Sequence, residues 1–119
     1  MSEEELPPWI KEQVSRLHQI QQNLQAIMMK KHQIEQEISE TDKAIEEIKK
    51  IDEDNKLYKR YNTFLIKAKR ENILKELKEK KDTLNIRMEV VEKQEKRVSD
   101  NLKEVENKII KMRTLLDND

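Results

Sequence analysis

A step of alternately three and four residues from Ile10 lands on positions 10, 13, 17, 20, 24, 27, 31, 34, 38, 41, 45 and 48. They read Ile, Gln, Leu, Ile, Leu, Ile, Lys, Ile, Ile, Thr, Ile, Ile, so nine of twelve are apolar. The same step from Leu74 to Leu116 gives eleven apolar positions of thirteen, interrupted by Lys81 and Glu95. A repeat of 3.5 residues sustained for this long predicts two amphipathic helices with matching coiled-coil seams. Two such seams in one chain predict an antiparallel helical hairpin. At 1.5 Å per residue each helix would be about 65 Å long, which favours a rod over a globule.

The middle of the chain breaks the repeat. "IDEDNK", residues 51–56, reads as a loop. "LYKRYNTFLIKAKR", residues 57–70, then holds three of the four aromatic residues, Tyr58, Tyr61 and Phe64. Phe64, Ile66 and Ala68 alternate with Thr63, Leu65 and Lys67, the period of a short strand. Asn62 lies between the two runs and tolerates the left-handed backbone of a tight turn. These features predict a β-hairpin. The rival is a continuous helix, with Tyr58, Tyr61, Leu65 and Ala68 on one stripe. The expected elements of a single domain over 1–119 are helix 9–50, hairpin 57–68 and helix 71–117.

A lone two-stranded hairpin is marginal in water and has two unpaired edges. This one would expose Leu57, Phe64, Leu65 and Ile66. The expected remedy is pairing with hairpins of other chains in a sheet or closed β-barrel. Leu57, Tyr58, Tyr61, Phe64, Leu65, Ile66 and Ala68 are therefore the candidate assembly residues. The fold class is mainly α: a long antiparallel two-helix coiled coil with a central β-hairpin that forms an intersubunit β-barrel.

The helix ends carry their own signals. Pro7-Pro8 suits a helix start, where no intrahelical N–H donor is needed. Glu3, Glu4 and Glu5 would lie near the positive end of that helix dipole, and Lys49 and Lys50 near its negative end. For the second helix, Glu71 falls in the first turn and Asn72 is a candidate cap. Lys31, Lys81 and Glu95 would either fix the register of the seams or extend their long stems to water. Antiparallel packing would bring Lys81 near Thr41.

Composition narrows the function. Charged residues make up 42% of the 119 residues and apolar residues 34%, too few for a large globular core. Positive and negative charges balance at 25 each. Only residues 51–70 are basic, with six positive and three negative charges, so binding of nucleic acid is not expected. Cysteine is absent, and with it disulfide and thiolate chemistry. No apolar run is long enough to span a membrane, and "MSEEELPPW" does not read as a signal peptide, so a cytoplasmic protein is expected. Glycine is absent, which excludes a phosphate-cradling loop. His32 and Glu35 fall far short of a metal site, His18 is isolated, and no serine has a matching histidine. Neither enzymatic activity nor a cofactor or metal is expected.

Antiparallel pairing also brings both ends of the chain together. Leu6, Trp9, Ile10, Val14 and Leu17 would meet Ile109, Ile110, Met112, Leu115 and Leu116. Of these, Leu6, Trp9, Ile110 and Leu115 lie off the seam. Large adaptable apolar side chains suit loosely specific binding of exposed hydrophobic segments. The alternative is that they only close the end of the coil, the better reading for Leu17, Ile109 and Met112.

The layout resembles the prefoldin family of chaperones, specifically its β class. The likeness is carried by "LPPWI", "QQNLQAI" at 21–27, "LYKRYNTFLIKAKR" at 57–70, "LKEKKDTLNIRMEVVEKQEKRV" at 77–98 and "NLKEVENKI" at 101–109. Tyr61-Asn62 departs from the small residue and glycine usual in the family, and a single hairpin separates the chain from the longer α class. The resemblance implies a hexamer of two α-class and four β-class subunits built on a double β-barrel. It implies capture of unfolded polypeptides at the coil tips and delivery to a group II chaperonin, without nucleotide or metal. The reading that competes with it is a structural coiled-coil scaffold or spacer with no affinity for unfolded chains.

Overall fold

A computed structural model describes residues 6–118. Glu3, Glu4 and Glu5, expected near the helix dipole, lie outside the described residues. The elements follow in the order helix α1 (Pro8–Lys49), strand β1 (Leu57–Tyr61), strand β2 (Phe64–Ala68) and helix α2 (Arg70–Asp117).

Proline sets the first boundary. Pro8 is the first helical residue, where its missing N–H costs nothing. The carbonyl of Pro7 accepts the N–H groups of Ile10 and Lys11 at 3.0 and 3.1 Å. At its other end α1 closes with tight turns, Lys50 N–H to Glu47 O at 3.3 Å and Ile51 N–H to Ile48 O at 3.2 Å. A chain without glycine lacks the usual left-handed C-cap residue, and Asn62 is the only described residue with positive φ.

Residues 51–56 form the expected loop, including a turn from Asn55 N–H to Asp52 O at 3.0 Å. The strands then pair antiparallel: Leu57 with Ala68, Lys59 with Ile66 and Tyr61 with Phe64 on one face, and Tyr58 with Lys67 and Arg60 with Leu65 on the other. Asn62 has φ of 53° at the first central position of the two-residue turn, the sign a primed hairpin turn requires there. Thr63 belongs to the turn rather than the strand. The rival continuous helix is therefore absent.

The expected cap of α2 is corrected. Asn72 lies inside the helix, whose first turn closes from Ile73 N–H to the carbonyl of Lys69 at 3.1 Å. β2 runs to Ala68, so a single residue separates strand from helix and Lys69 occupies the cap position.

The chain forms two compact units, one from the described parts of 1–31 and 90–119 and one from residues 32–89. In the first, Ile20, Val105 and Ile109 form a core that Val14, Leu17, Val98 and Leu102 flank. Ile10 is wholly buried there. Lys31 and Glu95, polar interruptions of opposite seams, form an ion pair at 3.2 Å with both side chains 29% exposed. In the second unit Ile34, Thr41, Ile45 and Leu84 are buried. Thr41 satisfies its hydroxyl by donating to Glu37 O at 2.7 Å. Lys81 pairs with Asp42 at 2.7 Å, one residue from the expected neighbour Thr41.

Candidate functional site

Two regions hold the residues singled out from the sequence. The first is where the described chain ends meet. Leu6, Ile10 and Ile109 are buried, and Val14, Leu17, Met112 and Leu116 are half-buried. Leu6 and Leu116 line one small recess with Arg113 and Asp117. Three residues of the set face outward: Trp9 at 44% exposure, Ile110 at 61% and Leu115 at 67%. The exposed three all lie off the seam, whereas Leu6, one four-residue step before Ile10, is buried, and Val14, beside the seam position Gln13, is half-buried. The coil closes its own end with the inward residues and retains an outward apolar set. Gln13, a polar seam position beside this region, buries its Oε1 without a hydrogen-bond partner.

The second region is the hairpin. Its two strands form a two-stranded sheet, so each strand has one unpaired edge. The face bearing Leu57, Lys59, Tyr61, Phe64, Ile66 and Ala68 is apolar except for Lys59. Only its root is sheltered: Leu57, Lys59 and Ala68 are half-buried, whereas Tyr58, Tyr61, Phe64, Leu65 and Ile66 are exposed. Phe64 at 71% and Leu65 at 67% are among the most exposed apolar side chains described.

Polar ties hold the hairpin root. Lys59 forms an ion pair with Glu76 of α2 and lies 5.0 Å from the centre of the Tyr61 ring. The hydrogen bond to Glu76, then that to Tyr61, raises the Lys59 pKa above the ordinary lysine value. At the adjoining junction Arg70 donates from Nε to Ile48 O at 3.1 Å and from Nη2 to Lys49 O at 2.9 Å. Sequence reasoning missed Arg70. The available signal was a long helix with no glycine to end it, followed by a basic residue at the start of the next helix.

Among the described residues no group of three metal-ligating side chains comes together, and no helix is long and apolar enough to cross a membrane. Outside the two regions Met28, Met29, Ile86 and Val90 are also exposed.

Paired helices that bury their own seam, joined through a hairpin that leaves its apolar face open, define a class of coiled-coil subunit with an incomplete sheet. The prefoldin subunit family matches residues 11–114. The prefoldin β subunit of Archaeoglobus fulgidus is 37% identical over 88% of this chain and 90% of its own length. That of Thermococcus onnurineus is 38% identical over 87% of this chain and 90% of its own. The crystal structure of the prefoldin β subunit from Thermococcus strain KS-1 superimposes with a TM-score of 0.82 at 34% identity, covering 87% of this chain and 90% of that one. The chain belongs to the prefoldin family of chaperones, in its β-subunit class.

Proposed function

We propose that this chain is a subunit of an ATP-independent chaperone that captures unfolded polypeptides at its coil ends and transfers them to a group II chaperonin. The hairpin joins it to other subunits, in a cytoplasmic hexamer of two α-class and four β-class chains. Trp9, Ile110 and Leu115 carry the client-binding reading: they stay exposed although the core beneath them is already closed. Leu6, Ile10, Val14, Leu17, Ile109, Met112 and Leu116 support that surface from within. Contacts at one end are few and weak, and several ends in one assembly add through effective concentration.

The test uses the assembled complex with Trp9, Ile110 and Leu115 all replaced by serine. These positions lie outside the closed core, so assembly and helix content should hold. Suppression of aggregation of a chemically unfolded enzyme should require about tenfold more complex, a loss of about 1.4 kcal/mol in capture. Undiminished suppression would remove client capture from this surface and return the chain to the scaffold reading.

A further inference from the structure

The hairpin joins the helices through unequal connections. Residues 50–56 separate α1 from β1, whereas Lys69 alone separates β2 from α2. The β2 side is therefore the short, stiff one, and its first helical residue is Arg70. A cation at that position opposes the dipole of its own helix, which favours negative charge at the N-terminus. The guanidinium instead reaches the carbonyls of Ile48 and Lys49 at the end of α1, the negative end of the other helix. Ile48 O also accepts the turn from Ile51, and Lys49 O receives the second arm of the fork. In this glycine-free chain the cap of α1 comes from a side chain across the junction.

We propose that Arg70 is the positioning residue that sets the hairpin for assembly, by fixing the start of α2 against the end of α1. The inference rests on reading the hairpin as the assembly element. Arg70 sits two residues beyond Ala68, the last strand residue, which pairs with Leu57 at the hairpin root. Anchoring Arg70 fixes where the root leaves the helices, so a hairpin meant to pair along its edges is presented in one direction. A planar fork with separated donors can hold two carbonyls in a fixed relation, whereas one ammonium acts as a point charge. The guanidinium therefore supplies geometry as well as charge.

The experiment compares the wild-type assembly with assemblies carrying Arg70→Gln, Arg70→Lys or Ile66→Asp, each chain co-produced with the longer subunit from its own source. Dilution followed by single-particle mass measurement gives the concentration at which each complex falls apart. Amide exchange reads the α1 end and the strands, and circular dichroism reads the helices. Arg70→Gln should raise the dissociation concentration at least about tenfold. It should speed exchange at Lys50, Ile51 and the strand amides and leave helix content intact. Arg70→Lys should not restore assembly.

Wild-type dissociation and strand exchange in Arg70→Gln would overturn the inference, as would full rescue by Arg70→Lys. Loss of helix content in Arg70→Gln would also overturn it, because Arg70 would then be a folding residue. Ile66→Asp separates this inference from the reading beneath it. If Ile66→Asp dissociates the complex while Arg70→Gln does not, the hairpin reading stands and the Arg70 role falls. If Ile66→Asp leaves the complex intact, the hairpin reading itself fails.

Discussion

The seam of the paired helices and the hairpin draw on the same kinds of side chain and treat them oppositely. Leu84 on the α2 seam is 2% exposed, whereas Leu65 on β2 is 67% exposed. The difference lies in where the matching surface is found. Each seam finds its complement within this chain, so burial needs nothing further. Among the described residues the two strands have no third to cover their edges or apolar face. The helices are therefore expected to fold in an isolated chain, and the hairpin to be completed only by partners.

The largest expected effect breaks that contrast at the hairpin. Ile66→Asp should abolish assembly in native mass spectrometry and leave helical circular dichroism unchanged. In the lone chain the carboxylate stays in water, because Ile66 is 52% exposed. Inside a subunit interface it would be an unpaired buried charge, worth about 3–5 kcal/mol against association. A stable assembly formed by the Ile66→Asp chain would show that the hairpin face is not where subunits join.

Leu84→Ala reverses the test. It removes a buried side chain from the seam and should lower the free energy of unfolding in urea by about 2–4 kcal/mol, while the hairpin residues stay unchanged. A loss below about 1 kcal/mol would mean that the seam contributes little and that the helices depend on assembly as the hairpin does.

What was legible in the sequence divides along the same line. Every seam position from Ile10 to Ile48 and from Leu74 to Leu116 is buried or half-buried, because a 3.5-residue repeat has only one face to hide. The hairpin turn was legible through Asn62, one of the few residue types that accept positive φ without glycine. Contacts between elements were less legible, since they depend on register. Lys31 and Glu95 could be picked out as seam exceptions, but nothing in their local sequence states that they face each other. Asn72 looked like a cap by residue type, but β2 ends at Ala68 and the helix starts at Arg70, only one residue later, which places Asn72 inside its first turn. At the chain ends, periodicity sorted Trp9, Ile110 and Leu115 from the inward residues, and the same step carried back four residues from Ile10 reaches Leu6, which is buried although it was set apart from the seam.

The ion pair within the seam sharpens the comparison, because it asks whether burial there must be apolar. Replacing Lys31 and Glu95 singly and together by methionine forms a double-mutant cycle. With both side chains 29% exposed, a coupling of about 0.5–1 kcal/mol is expected. Each single change removes one side of this ion pair, whereas the double change extends the apolar seam and should be the least costly of the three. Chemical denaturation of the four proteins supplies the cycle. Zero coupling would mean that this contact between the two charges has no part in register.

The smallest effect is a titration. The hydrogen bond from Lys81 to the Asp42 carboxylate, reinforced by their opposite charges, raises the Lys81 pKa above the ordinary 10.5. A lysine whose pKa is higher folded than unfolded binds its proton more tightly in the native state. Its stabilising contribution is fully present below the unfolded value and is lost as pH rises through the folded one. This pair should therefore leave stability level from about pH 6 to about pH 9 and weaken it only at more alkaline pH. Lys59 shifts in the same direction, through Glu76 rather than Asp42. Asp42→Asn should lower the Lys81 pKa toward 10.5 in a nitrogen-detected titration of the side-chain amines, and leave Lys59 where it was. An unchanged Lys81 would show that its ammonium is held by water rather than by the facing helix. A simultaneous shift of Lys59 would show that the coil and the hairpin root respond as one, against the division drawn between them.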